Sequence, residues 1–269
     1  MVALFIFKTK LKTVLMMKTV LISGGASGIG LGVAQHLAAQ NYKVIITDLD
    51  EGAAKREANN IVDQGGDASG YALDVTNEDS VERLLQALSG TPVDILINNA
   101  GIQHVAPLDE FPIDKWQFLI EVMLVGVARL TKAFLPNMKS RGFGRIVNIG
   151  SIHSLVASPY KSAYVSAKHG LLGFSKVLAL ETSEYDITIN TVCPAYVKTP
   201  LVRKQIAAQA KEHGLTEDEV VEQIMLKPMP KKQFISIEEL AGTCQFLVEP
   251  AAKNITGQTI TLDGGWVAQ

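Results

Sequence analysis

Ser151, His153, Lys161, Tyr164 and Lys168 fall within one short span, "SIHSLVASPYKSAYVSAK" (151–168). Tyr164 and Lys168 are four residues apart, so on a helix they share a face. That spacing suits proton transfer. A free tyrosine titrates near ~10, too high for a base at neutral pH. One ammonium at ~4 Å is worth about 4 kcal/mol at an effective dielectric of ~20. At ~1.36 kcal/mol per unit, that is enough to bring a phenol to ~7. The competing reading is an ordinary helix start with solvated polar side chains. The elements around the span decide between them.

The span follows a strand-like run, "GRIVNIGS" (144–151). Other short apolar runs read as strands: "KTVLIS" (18–23), "KVIITD" (43–48), "GYALD" (70–74), "VDILINNAG" (93–101), "DITINTVCP" (186–194) and "QTITLDGG" (258–265). Helical patterns separate them, among them 28–40, where Ile29, Val33 and Leu37 recur at helical spacing, and "EDSVERLLQAL" (78–88). Strands alternating with helices predict an α/β fold, a parallel sheet covered on both faces. Residues 195–235 are the one long irregular stretch, with Pro200, Pro228 and Pro230 and a helix expected inside; in an enzyme such a segment is a lid candidate.

Between the first strand and first helix lies "SGGASGIG" (23–30). Gly24, Gly28 and Gly30 permit a tight turn and let a pyrophosphate approach the helix N-terminus. The spacing is not G-x-G-x-x-G, so the strand before and the helix after carry the nucleotide reading. Asp48 closes the second strand. A carboxylate there accepts from an adenosine ribose diol and repels a 2′-phosphate, which favours NAD over NADP. Alone it is equally a strand-end turn aspartate.

Composition narrows the classes. The chain has 269 residues, 47% hydrophobic and 19% charged, with formal net charge −2. It can bury one large core. There is no basic excess for a nucleic-acid partner. Two cysteines, Cys193 and Cys244, read as free thiols of a reducing, cytoplasmic compartment. No His or Cys cluster has metal-ligand spacing, so no metal is expected. The apolar runs of residues 1–16 are too short to span a bilayer, and Lys8, Lys10 and Lys12 interrupt a signal-peptide core. They are expected to be a loose extension, or translation begins at Met16 or Met17, leaving 17–269 as a single domain with 195–235 as its lid.

Taken together, "SGGASGIG", "NNAG" (98–101), Ser151, Tyr164 and Lys168 resemble the short-chain dehydrogenase/reductase family, from about Lys18 onward. The resemblance implies a Rossmann-like, doubly wound sheet of about seven strands and a homotetramer. It implies that Ser151 orients a substrate carbonyl, Tyr164 moves the proton, and Lys168 binds the nicotinamide ribose and lowers the tyrosine pKa. Cofactor contacts are implied at Gly24, Ser27, Gly28, Ile29 and Gly30; at Asp48, Asp74, Val75 and Asn99; and at Pro194, Val197 and Thr199, besides Tyr164 and Lys168. Asn98 is implied to steady the central sheet.

"NNAGIQHVAPLDEFPIDKW", the 151–170 region, "TPLVRKQI" and "LDGGWVAQ" resemble more narrowly the bacterial D-3-hydroxybutyrate dehydrogenases. That resemblance implies a small hydroxy or keto acid whose carboxylate is held by Gln103, His153, Lys161 and Gln205, with Trp266 walling the apolar side. One cation plus several donors does suit a carboxylate. Three places depart from the pattern: Met123 replaces an asparagine, Ala195 replaces a glycine, and Tyr196 replaces a tryptophan at the substrate pocket. A thioether donates no hydrogen bond. The expected reaction is NAD-dependent oxidation of (R)-3-hydroxybutyrate to acetoacetate and its reverse. The alternatives are a ketoreductase for 3-oxoacyl thioesters and a non-catalytic nucleotide-sensing module.

Overall fold

A computed structural model describes residues 17–268; residues 1–16, with the expected extension, lie outside them. Seven parallel strands form one sheet in the order β3-β2-β1-β4-β5-β6-β7. They are β1 (Thr19–Ser23), β2 (Lys43–Asp48), β3 (Asp67–Ala72), β4 (Ile95–Asn98), β5 (Phe143–Ile149), β6 (Asp186–Pro194) and β7 (Thr259–Leu262). The parallel sheet is the one the alternation predicts, and its doubly wound, Rossmann-like order is the one the family resemblance implies.

Side chains alternate across the strands, so each strand feeds two cores. Val20, Ile22, Val44, Ile46, Ile95 and Ile97 are buried on one face against α1 (Gly28–Ala39), α2 (Glu51–Asp63) and α9 (Ile237–Val248). Leu21, Ile45, Leu96 and Ile146 are buried on the other. There they meet α3 (Glu78–Ala87), α4 (Ile113–Ile120), α5 (Gly126–Arg141) and α6 (Ser162–Glu181). A π-helical turn, Glu121–Val125, joins α4 to α5 and carries the fully buried Met123.

β3 starts three residues earlier and ends two residues earlier than the sequence pattern suggests. At its Gly70 a Cβ would sit 2.4 Å from the Ala54 backbone of α2, so the strand must meet that helix at glycine. The stretch 195–235 holds more helix than expected, α7 (Pro200–His213) and α8 (Glu217–Val220). The boundaries are local chemistry. The Thr199 hydroxyl accepts from Val202 N, Pro200 opens α7, and Gly214 ends it at φ 65°. Thr216 and Glu219 form a capping box for α8.

A buried polar line crosses the second core. Asn98 Nδ2 donates to Asn148 Oδ1 at 2.8 Å and to Thr131 Oγ1 at 3.3 Å. Asn148 Nδ2 donates to Ser175 Oγ at 3.0 Å, and Ser175 Oγ lies 2.9 Å from Thr191 Oγ1. The line ties β4, β5 and β6 to α5 and α6. Asn148→Ala leaves the Asn98 amide and Ser175 hydroxyl each short of a buried partner, at about 1–3 kcal/mol per group. The expected loss is about 2–4 kcal/mol, read as a lower urea midpoint at unchanged slope; an unchanged midpoint contradicts this account.

Candidate active site

The strand ends open on a crevice where β1 turns toward β2 and β4 toward β5, the place where open α/β sheets bind ligands. The cavity there has a volume of about 450 Å³. Its first wall is the glycine turn. Gly24 and Gly28 have φ of 61° and 55°, which glycine adopts freely. Ser27 precedes α1 but does not cap it, whereas Asp50 caps α2 and Asn77 caps α3. The first amides of α1 therefore lack a side-chain acceptor and suit an anion. Asn99 fixes the turn: its Nδ2 donates to Ser23 O at 3.0 Å and Gly24 O at 2.8 Å.

Gly24, Ser27, Gly28 and Ile29 line the crevice, as do Asp48, Asp74, Val75, Asn99, Pro194, Val197 and Thr199. Gly30 does not. A Cβ at Gly30 would meet Gly24 O at 2.3 Å and Asn99 Nδ2 at 2.5 Å, so this glycine lets helix and turn pack beneath the crevice. The Asp48 carboxylate accepts only long bonds, from Ala26 N at 3.3 Å and Asp50 N at 3.4 Å, and keeps acceptor capacity for a diol. Asp74 Oδ1 is engaged by Thr76 N at 2.9 Å and Thr76 Oγ1 at 2.7 Å.

Ser151, Tyr164 and Lys168 line the cavity's deep part. Ser151 follows β5, and its hydroxyl accepts from His153 N at 3.2 Å. Lys168 Nζ donates to Ile149 O at 2.6 Å and lies 5.8 Å from the Tyr164 ring centre. Burial raises the Tyr164 pKa, with Ser151 acting against the rise. Burial also lowers Lys168 to about 8. The ammonium donates to a strand-end carbonyl, and loss of water dominates both groups.

A second polar group lies nearby. His153 Nε2 is 3.2 Å from Lys161 Nζ and 3.4 Å from Ser158 Oγ. Burial first, then the Lys161 charge, lowers His153 to about 4, so the ring is neutral. Burial lowers Lys161 too. Lys161 Nζ sits 5.9 Å from the Tyr196 ring centre. Gln103, His153, Lys161, Tyr196 and Gln205 all line the cavity. His153 Nδ1 and Gln103 Oε1 are buried without a partner. Trp266 does not line it; its ring backs those of His153 and Tyr196, each at 6.1 Å.

The short chain dehydrogenase sequence profile matches residues 18–210. The chain belongs to this family. It is 41% identical to a D-beta-hydroxybutyrate dehydrogenase of Rhizobium meliloti, covering 94% of this chain and 100% of that one. A D-beta-hydroxybutyrate dehydrogenase of Cupriavidus necator is 42% identical over 94% and 98% of the two chains. The crystal structure of a variant actinorhodin polyketide ketoreductase with NADPH superposes with a TM-score of 0.89 at 31% identity, covering 93% and 97%. The protein is thus a short-chain oxidoreductase that works with a nicotinamide dinucleotide, and the uncapped α1 turn and Asp48 suit that cofactor.

Three features of this dehydrogenase had no clear sequence signal. Ser158 is one of many serines until His153 is seen beside it. Cys193 is fully buried under Gly150, where a Cβ would come within 2.7 Å of its Sγ, and burial raises its pKa. Phe118 of α4 and Val122 of the π-helical turn line the crevice, with no motif to single them out. Among the described residues no group of three or more His, Cys, Asp or Glu is placed for a metal, and no helix is long and apolar enough to cross a membrane.

Gly30→Ala forces the glycine turn outward without adding any atom to the crevice. Overpacking costs about 1–3 kcal/mol. The dinucleotide dissociation constant is expected to rise at least about fivefold, at ~1.4 kcal/mol per factor of ten. Fluorescence titration of the folded variant measures it; an unchanged constant contradicts the packing role.

Proposed function

We propose that this enzyme interconverts (R)-3-hydroxybutyrate and acetoacetate with NAD. The observation carrying the reading is the convergence of Gln103, His153, Lys161 and Gln205 on the cavity that Tyr164 lines. A cation, a neutral imidazole and two amides suit a small carboxylate. The names of the two bacterial relatives support the same substrate class. Asp48 supports NAD, because its charge opposes a 2′-phosphate.

When bound, the oxidised nicotinamide accepts a hydride from carbon and the reduced ring returns one. The chain's residues manage the proton and the charge. In oxidation the Tyr164 phenolate takes the proton of the substrate hydroxyl. In reduction the phenol gives it to the carbonyl oxygen. Burial keeps the resting phenol protonated, so Lys168 and Ser151 are needed to stabilise the phenolate. Ser151 holds the reacting oxygen, and Lys161 anchors the far carboxylate. Residues 195–235 act as the lid, bringing Gln205 over the substrate.

A ketoreductase acting on 3-oxoacyl thioesters is the second reading, favoured by the likeness to the polyketide ketoreductase. Such a substrate offers no carboxylate to Lys161.

Asp48→Ala is expected to weaken NAD binding and lower the ratio of NAD to NADP efficiency. A parent enzyme that prefers NADP overturns the NAD assignment.

Lys161→Ala separates the two substrate readings. A hydrogen bond to a charged group is worth about 1.5–3 kcal/mol. kcat/KM on (R)-3-hydroxybutyrate should fall about 10- to 150-fold, at ~1.4 kcal/mol per factor of ten. The methyl ester should be nearly insensitive. Because burial lowers the Lys161 pKa, the parent's KM for the acid should climb on the alkaline side as the ammonium loses its proton, and the variant's should stay flat. His153, at about 4, adds no step near neutral pH. Equal losses on acid and ester would rule out a carboxylate anchor.

A further inference from the structure

Three described residues other than glycine have a left-handed backbone: Asn41, Tyr160 and Lys232, with φ of 62°, 67° and 49°. Asparagine tolerates that region. Lys232 is tied by its side chain, whose Nζ donates to Leu226 O and Lys227 O. Tyr160 has no such excuse. It is aromatic, and with 59% of its surface exposed, ring packing does not hold it there.

The surroundings hold the backbone instead. Tyr160 O accepts from Ala106 N at 3.0 Å, three residues after Gln103. Two residues before Tyr160, the Ser158 hydroxyl meets His153 Nε2. One residue after it, Lys161 is 8% exposed, with its Nζ at that same ring nitrogen. α6 begins at Ser162, so the chain has no slack on that side. A residue kept in a disfavoured region by anchors on both flanks is the pattern of a functional turn.

We propose that the left-handed backbone at Tyr160 positions Lys161, turning its side chain into the cavity while the Tyr160 carbonyl locks the Gln103 loop alongside. This rests on the reading of Lys161 as the carboxylate anchor. Right-handed or extended backbone at 160 would redirect the chain between two fixed points. Either the Ala106 bond breaks or Lys161 leaves His153. Tyr160 thus acts through its backbone, as a positioning residue, and its ring is dispensable.

The test compares substitutions by their tolerance of the left-handed region. Tyr160→Asn removes the ring but accepts the conformation. Its KM for (R)-3-hydroxybutyrate should stay within about threefold of the parent, because asparagine visits this region routinely. Tyr160→Val does not accept it; its KM for the acid should rise at least about tenfold, since a β-branched residue is an outlier there. KM for the methyl ester and for NAD should hardly move in either. Tyr160→Ala, a milder misfit, should fall between and serves if the valine variant does not fold. Asparagine and valine variants with the same acid KM overturn the proposal, as do equal rises for acid and ester, or an asparagine variant as impaired as the valine one. Lys161→Ala run in parallel keeps the readings apart. If it raises the acid KM while the valine and alanine variants do not, the positioning role alone fails. If Lys161→Ala also leaves the acid KM unchanged, the carboxylate anchor fails and the positioning role falls with it.

Discussion

A buried ammonium must be hydrogen-bonded, since removing it unpaired from water is far too costly. Lys168 meets that demand at one atom, Ile149 O, 2.6 Å away. Ile149 is the last residue of β5, and Ser151 stands two residues beyond it. Tyr164 is one helical turn before Lys168 on α6. The bond from Lys168 to the strand end therefore helps place serine, tyrosine and lysine relative to one another. Behind it, the Asn98–Asn148–Ser175 line fixes β5 against β4 and α6, so the reference point is itself held. The sheet's centre thus bears on the chemistry at its edge.

Burial then sets the electrostatics of the whole cavity. Tyr164 and Cys193 are pushed up, and Lys168, Lys161 and His153 down. Every one of these groups is driven toward its neutral form, by desolvation first. Interactions inside such a site are stronger than in water, for good or ill. A neutral imidazole beside an ammonium is the consequence with most bearing on recognition. Two adjacent cations would repel each other, and a neutral His153 leaves Lys161 as the cation of the pair. The unpartnered His153 Nδ1 and Gln103 Oε1 show that the site is not self-satisfied.

Much of this was legible in the sequence, and the reasons are specific. Strand and helix periods alternate cleanly, so the seven strands and their order of appearance follow from pattern alone. Tyr164 and Lys168 are a fixed helical interval apart, which makes their shared face a matter of geometry. The misreadings lie where tertiary packing decides. Gly30 looks like part of a phosphate loop, but its missing side chain serves the contact between α1 and Asn99. Trp266 looks like a pocket wall and stands one layer behind it. Nothing in the order of residues marks Ser158 or the backbone of Tyr160: Ser158 meets His153 only because the turn after β5 folds back on itself, and the partner of the Tyr160 carbonyl, Ala106, comes from a distant loop.

The two halves of the site differ in how they are built. Tyr164 and Lys168 share one helix, and Ser151 lies just past the end of β5, whose last carbonyl accepts from Lys168. The recognition residues come from four separate places: Gln103 after β4, His153 after β5, Lys161 just before α6, and Gln205 on α7. An element with a regular backbone keeps its side chains in register when the sequence around it changes. A set drawn from loops, a short turn and a separate helix depends on each of them separately. The Ser151, Tyr164 and Lys168 cluster should therefore be the persistent part of this architecture, and the group of Gln103, His153, Lys161 and Gln205 the adjustable part. Tyr196 sits at the adjustable end, lining the cavity beside Lys161, so a change of ring there reshapes that end of the cavity without touching the helix that holds Tyr164 and Lys168.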